Sequence, residues 1–242
     1  MRIATLNLRN TADRWCARRS LLVRQLVDLA PDVIGVQEVR TVPNQARWIA
    51  GAAERRSGGR LKYRCYGRPK LGPWGLWEGI AVLTRVPVTA TAWIGLGSQA
   101  RVAQRLTVRL PDGRLLDVYN THLGLGGEAV RTAQAGLILD WMDTRFPVPA
   151  VLVGDLNARP GSPTIELLSS RLRWAHREDR RPTVPTPLRQ GWSGDASVLD
   201  YVFVNDLVAV EDASRVFDEA DPADPTLYAS DHYGLAATIT PA

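Results

Sequence analysis

Cysteine is almost missing from this chain of 242 residues: Cys16 and Cys65 are its only two. That is too few for a disulfide scaffold, and a pair of reduced thiols is the expected state. Lysine is nearly as scarce; Lys62 and Lys70 stand alone, and every other basic residue is arginine. No apolar run approaches the ~18 residues of a membrane span, so no transmembrane segment is expected. The segment from Met1 to Asn7 lacks the apolar stretch of a secretory leader and reads directly as a strand. The expected location is the cytoplasm, although secretion behind a leader removed ahead of Met1 would leave the same sequence. The chain also has no long linker and no low-complexity tract, which excludes disordered and collagen-like classes.

What is present is an ordinary globular composition, 45% apolar and 23% charged. One domain over residues 1–242 fits this length, and it should bury roughly 70% of the surface its unfolded chain exposes. A monomer is expected. Thirty basic against 25 acidic residues leave a net charge of +5. Arginine pairs bidentately with phosphate, so nucleic acid is a natural partner. An arginine-heavy composition read only as GC-rich coding predicts the same numbers, so charge alone decides nothing.

Short apolar runs alternate with amphipathic stretches. Ile3 to Leu8 reads as a strand, 14–29 as a helix with Leu22, Leu26 and Leu29 on one face, and Val33 to Val36 as a short buried strand. Pro43 to about Glu54 reads as a second helix. Strands are expected near 61–66, 79–84, 88–95, 102–110 and 115–121, with Pro111-Asp112-Gly113 as a hairpin turn. A third helix is expected over 128–142, burying Val130, Ala133, Leu137 and Trp141. A buried strand at 151–153, a short helix near 163–170, a loop at 182–187, and strands at 198–204 and 235–239 complete the chain. The order contains an echo: strand, helix, strand ending in Gln37-Glu38, and again strand, helix, strand ending in Gly154-Asp155-Leu156-Asn157. Two such halves would pack their sheets face to face under helices.

The chemistry lies at strand ends. Asn7, Glu38, His122, Asp155 and Asn157 each follow an apolar run. A carboxylate there is costly without a partner or a metal. Taken singly, each also reads as a loop-start or helix-cap residue; several converging on one sheet edge would be a site. Oxygen donors without a Cys/His cluster suit Mg²⁺, Mn²⁺ or Ca²⁺ rather than zinc. Of the three histidines, His122 and His232 lie in polar clusters, Asn120-Thr121-His122 and Ser230-Asp231-His232. That setting suits acid–base or phosphate chemistry.

Seven blocks run in order along the chain: Thr5-Leu6-Asn7, Gln37-Glu38, Glu78-Gly79-Ile80-Ala81-Val82-Leu83-Thr84-Arg85, Asn120-Thr121-His122-Leu123, Gly154-Asp155-Leu156-Asn157, Leu199-Asp200-Tyr201-Val202-Phe203 and Ser230-Asp231-His232. Together they resemble the endonuclease/exonuclease/phosphatase superfamily, which includes deoxyribonuclease I, abasic-site endonucleases, sphingomyelinases and inositol phosphatases. The resemblance implies a deoxyribonuclease I-like α/β fold, a four-layer α/β/β/α sandwich of two packed mixed sheets with the site at one edge. It implies Glu38 as the principal metal-binding residue for Mg²⁺ (Mn²⁺ or Ca²⁺ as alternatives), supported by Asn7 and Asp231. Asp155 and Asn157 resemble the pair that position the attacking water and the phosphate. His232 resembles the histidine beside the scissile phosphate, oriented by Asp200. His122 resembles the second histidine, with Glu78 as the acidic partner that orients it, and Arg105 resembles a basic residue near the phosphate. Asp155 and His232 compete for the role of general base, and the sequence does not choose.

The substrate is the open term. Glycine-bearing loops carry Trp74 and Trp77 ahead of Glu78, and Trp192 ahead of Asp200. Such rings stack on bases, touch lipid, or pack onto the domain. A nuclease acting on DNA is the leading expectation, with nucleic acid as substrate. A phosphatase or phosphodiesterase on a phospholipid headgroup or other small phosphoester is the alternative, and a non-catalytic binding module on the same fold is the third.

Overall fold

The computed structural model describes residues 1–241, apart from the side chain of Trp74. Among the described residues, twelve strands and four α-helices alternate much as the sequence pattern predicts. In the first half the chain forms β1 (Arg2–Asn7), α1 (Trp15–Leu29), β2 (Val33–Val39), α2 (Gln45–Arg56), β3 (Arg64–Pro69) and β4 (Gly79–Thr84). Then come β5 (Val88–Gly95), β6 (Val102–Arg109), β7 (Leu115–His122), α3 (Glu128–Asp143), β8 (Ala150–Asp155) and α4 (Pro163–Ser169). The chain ends with β9 (Arg173–Trp174), β10 (Asp200–Val204), β11 (Val208–Val216) and β12 (Gly234–Pro241).

These strands form two six-stranded mixed sheets, ordered β11-β12-β1-β2-β4-β3 and β5-β6-β7-β8-β10-β9. Each contains one parallel pair, β1 with β2 and β7 with β8, bridged by α1 and α3 respectively. The echo in the sequence is therefore a real repeat of strand, helix and parallel strand. One apolar cluster (Leu22, Leu26, Ile34, Ile49, Leu83) packs α1 and α2 on the first sheet, and another (Ile138, Leu139, Leu152, Ile165, Phe203) packs α3 and α4 on the second. A third (Ile3, Val82, Leu106, Val118, Val153, Ile239) fills the space between the sheets. The result is the expected four-layer α/β/β/α sandwich. Among the described residues no helix is long and apolar enough to cross a membrane. Cys16 and Cys65 are unpaired, and burial pushes the Cys65 thiol up to about 11.

Three local readings need correction. The buried face of α3 is Gln134, Ala135, Ile138, Leu139 and Met142, whereas Leu137 is 44% exposed. The expected stripe lies beside the true one, because two apolar stripes compete on this Ala/Leu-rich helix. Strand β11 is missing from the sequence reading because Val208-Ala-Val-Glu-Asp-Ala does not alternate. It is an edge strand with a register shift between Val210 and Asp212, so its outward side chains face solvent. The two-residue β9 carries no periodic signal at all.

A buried polar clamp sets the sheets against each other. Gln37 Nε2 donates to Thr5 Oγ1 at 3.0 Å and, across the interface, to Asn120 Oδ1 at 2.8 Å. Asn120 Nδ2 in turn donates to the carbonyls of Val36 and Ala81. Gly35 permits this approach: a Cβ there would sit 2.5 Å from Val153 Cγ2 and 2.9 Å from Asn120 Oδ1. Two of the recognisable motifs thus contribute a joint between the sheets as well as a site.

Candidate active site

Strand register places the polar ends in two facing rows. In the second sheet Asp155 lies opposite Asp200 on one side and His122 on the other. In the first sheet Asn7 lies beside Gln37, with Glu38 next to it and Ser230-Asp231-His232 leading into β12. The end of β8, where Gly154 pairs with Thr121 and Tyr201, requires glycine. A Cβ on Gly154, at φ 151°, would lie 2.1 Å from the Thr121 carbonyl oxygen. Glu38 and Asn157 adopt left-handed backbone, φ 50° and 48°. Asn tolerates that region, whereas Glu does so at a cost of order 1–3 kcal/mol. Glu38 sits where the β2–β4 register shifts between Val36 and Val39.

The centre of the rim is a row of three facing ionisable groups, one pair hydrogen-bonded and the other in charge contact. Asp200 Oδ2 and His232 Nδ1 are 2.8 Å apart, and His232 Nε2 lies 4.0 Å from Asp155 Oδ2. Asp155 accepts from Asn7 Nδ2 at 2.9 Å and from the Asn157 backbone N–H at 2.9 Å. Burial opposes charge on His232, but Asp200, Asp155 and Asp231 outweigh it and push the imidazolium up to about 10. Burial and the facing Asp200 push Asp155 up to about 7, against His232 and its hydrogen bonds. His122 goes the other way: burial, with the positive charges of Arg101 and Lys70 adding to it, holds it well below its ordinary value. It is neutral, so its Nε2 accepts the 3.0 Å hydrogen bond from Asn157 Nδ2.

The metal expectation is tested by the donor set. Asn7 Nδ2 reaches Glu38 Oε1 at 3.2 Å. Burial and the like charge of Glu78 raise the Glu38 carboxyl, and Asp231 adds to this. Such a crowd of half-desolvated carboxylate oxygens is the environment a hard divalent cation relieves, so the residues fit one. Asp231 is partly neutralised by Arg9 and Arg189, each 3.4 Å away. Asp155, Asp200 and His232 also offer ligand atoms within 4.8 Å of one another. There His232 spends Nδ1 on Asp200, and the surrounding carboxylates favour its protonated form, which disfavours it as a metal ligand.

Two expected partners are elsewhere. Glu78 forms no hydrogen bond with His122, whose Nδ1 has no partner among the described residues. The carboxylate instead pairs with Lys70 and faces Arg101. Arg105 is not at the rim. Its guanidinium lies 4.0 Å from Asp117 and 5.6 Å from the Trp141 ring on the helix-covered face, because alternation along β6 turns it there. The cation that does reach the rim is Arg101, four residues earlier and just ahead of β6. Its only sequence signal is being an arginine at a strand start, which nothing distinguishes from the chain's other arginines. Arg18 is also invisible in sequence. Fully buried, it donates to the carbonyls of Arg9, Asn10, Ala12, Asp13 and Ala229, fastening the loop that carries Arg9 to the segment before Asp231. Of the loop tryptophans, Trp77 is 60% exposed, Trp192 packs under Arg189 at 4.3 Å, and the Trp74 side chain lies outside the described residues.

No curated protein matches the chain in sequence. Among solved structures, a Bacteroides thetaiotaomicron endonuclease/exonuclease/phosphatase family protein superposes with a TM-score of 0.82 at 18% identity, over 99% of this chain and 97% of that one. The mannosyl-6-phosphatase of the same organism gives 0.78 at 18%, over 99% of both chains. The catalytic domain of human Nocturnin, with a bound sulfate anion, gives 0.78 at 21%, over 100% of this chain and 93% of that one. At such identities these likenesses establish the fold. The model of the Endonuclease/Exonuclease/phosphatase family matches residues 4–232, from β1 to His232, and the chain belongs to that family.

Proposed function

We propose that the protein is a divalent-metal-dependent phosphoester hydrolase, and that its substrate is nucleic acid cleaved at a phosphodiester bond. The carrying observation is the Asp200–His232–Asp155 chain at the rim, 2.8 and 4.0 Å between its members, beside the oxygen-donor residues Glu38, Asn7 and Asp231. Those three would hold the cation, which when bound supplies charge neutralisation on the phosphoryl oxygens and the leaving oxygen. Asp155, its oxygens aimed by Asn7 and by the Asn157 backbone, accepts the proton of the attacking water. His232, charged and held in one orientation by Asp200, faces the phosphoryl group as a fixed positive group and proton donor. Neutral His122 accepts from Asn157 and keeps that amide turned into the cleft.

Nucleic acid is supported by arginines beside the rim, Arg9 and Arg189 near Asp231 and Arg101 near Glu78, and by the exposed ring of Trp77, a surface on which a base can stack. The second reading, a small phosphoester, is supported by an open cavity beside the rim, between Lys70, Trp77 and Arg101, of a size for one small molecule. Nicking of supercoiled plasmid in Mg²⁺ or Mn²⁺, abolished by EDTA and falling steeply with salt, is the expected result. Turnover of small phosphoesters with no nicking at any salt would replace the nuclease reading with the second one.

A further inference from the structure

Arg101 is a buried cation with nothing to hold. Only 6% of it is exposed, yet its Nε and Nη1 have no hydrogen-bond partner among the described residues. Its nearest acid is Glu78, 3.9 Å from Nη1, which is beyond hydrogen-bond distance. That carboxylate is already paired with Lys70. One acid thus balances two cations, and one positive charge is left over in a partly enclosed place. A desolvated guanidinium with open N–H groups is costly to keep without an acceptor.

The space in front of it is a cavity of about 410 Å³ lined by Lys70, Trp77, Glu78, Gln99, Ala100 and Arg101. The backbone is bent to present Arg101 there. Gln99 and Ala100 are consecutive non-glycine residues with φ 57°, and the Ala100 carbonyl is tied to the Leu71 N–H at 3.0 Å. Gln99 also closes one wall, since its Oε1 accepts from the Leu125 N–H at 2.7 Å. In the order β6-β7-β8, Arg101 lies two strands from Asp155, roughly 10 Å at the usual strand spacing. It is therefore set to one side of the phosphoryl group that Asp155 and His232 address.

We propose that Arg101 and Lys70 form a second anion subsite, which grips a phosphate of the substrate other than the one being hydrolysed. The proposal rests on the reading of the rim as a phosphoester hydrolase. A planar guanidinium beside an ammonium suits a phosphate with free oxygens. The exposed Trp77 ring at the mouth suits an adjoining base or sugar face. A neighbouring phosphate of a nucleotide chain and the second phosphate of a sugar bisphosphate share this chemistry.

The test compares substrates with and without the second phosphate. One pair is the p-nitrophenyl ester of thymidine 5′-phosphate with and without a 3′-phosphate, read by nitrophenol release. The other is glucose 1,6-bisphosphate against glucose 6-phosphate, read by phosphate release. The wild type is expected to prefer the doubly phosphorylated member by roughly 10- to 100-fold in kcat/KM, the range of charge-assisted hydrogen bonds. Arg101→Met should bring that ratio close to one, Lys70→Met should lower it, and Arg105→Leu should leave it as in the wild type. The pair that shows the preference identifies the source of the phosphate. An unchanged ratio in Arg101→Met, no preference in either wild-type pair, or equal losses on both members would overturn the subsite; equal losses would mean that Arg101 serves the scissile phosphate. Calorimetric binding of thymidine 3′,5′-bisphosphate against thymidine 5′-phosphate in EDTA separates the subsite from the hydrolase activity. If the wild type hydrolyses nothing, the hydrolase reading fails, and an Arg101-dependent preference in binding still decides the subsite.

Discussion

Replacing Asp155 by asparagine should stabilise the metal-free fold while abolishing turnover, and the size of the gain should depend on pH. Asp155 is 1% exposed and faces Asp200 across the β8–β10 ladder. Its carboxyl rises from 3.8 to about 7, through burial first and Asp200 second. At ~1.4 kcal/mol per pH unit, keeping it ionised in the fold costs about 4 kcal/mol relative to the unfolded chain. The sign follows from which state binds the proton. Below about pH 4 both states are protonated and nothing is lost. Between 4 and 7 the unfolded chain ionises while the folded one does not, so the wild type loses stability as pH rises. Above 7 the cost is constant. The Asp155→Asn side chain has no charge to lose, but its amide would oppose the N–H groups of Asn7, so about half of the 4 kcal/mol is a reasonable net gain. In EDTA at pH 8 the variant should therefore melt some 4–8 °C above the wild type, at ~2–4 °C per kcal/mol for this size. At pH 5 only about 1.6 kcal/mol of the cost remains, which the mismatched amide cancels, so the gain should vanish. Thermal melts of both proteins at the two pH values are the assay. A variant less stable than wild type at pH 8, or a gain equal at both values, would refute the electrostatic reasoning.

Other outcomes follow from the same geometry. Gly154→Ala would drive a Cβ to 2.1 Å from the Thr121 carbonyl oxygen, so soluble yield should collapse or the melting temperature fall by more than ~10 °C; a variant melting as wild type would show that the end of β8 relaxes freely. Gln37→Leu strands Asn120 Oδ1 inside the sheet interface, at about 1–3 kcal/mol or ~2–12 °C in melting temperature, and an unshifted melt would remove the clamp from the account. With His232 held at about 10 and Asp155 at about 7, kcat/KM should fall on the alkaline side near pH 10. The acid limb should lie at or below about 7, because a bound cation lowers it; an alkaline limb near the ordinary histidine value would mean that His232 is neutral at work. Glu38→Ala should lose activity that excess Mg²⁺ partly restores, and insensitivity to added metal would sink its assignment as the cation's main ligand.

Most of the architecture was legible because its signals are local. Short apolar runs of about four residues, broken by Thr5 in β1, Gly35 in β2 and Asp117 in β7, mark β1, β2, β4, β7 and β8, and polar residues at their ends mark the rim. Parallel strand–helix–strand units then bring those ends to one edge without further information. What escaped depends on partners distant in sequence. Edge strand β11 is defined by its pairing with β12, and the face of α3 is chosen by the sheet and α4 beneath it. Arg18 looks like any helix arginine until the loops around it close. Arg105 and Arg101 show the limit most sharply. Both belong to the same hairpin strand region, but alternation sends one to Asp117 under α3 and a strained turn sends the other to the rim. The partner of Glu78 was missed for the same reason, since Lys70 reaches it only through the β3–β4 pairing.

We propose that the Asp200–His232–Asp155 chain hydrolyses phosphoesters with the help of a divalent cation. Hydrolysis of bis(p-nitrophenyl) phosphate and nicking of supercoiled plasmid by the wild type and His232→Ala, in Mg²⁺, in Mn²⁺ and in EDTA, tests it most directly. The expected result is turnover of at least one substrate in metal, none in EDTA, and a loss of about 100-fold or more in the variant at every metal concentration. Turnover that persists in EDTA, or a His232→Ala variant as active as the wild type, would contradict it.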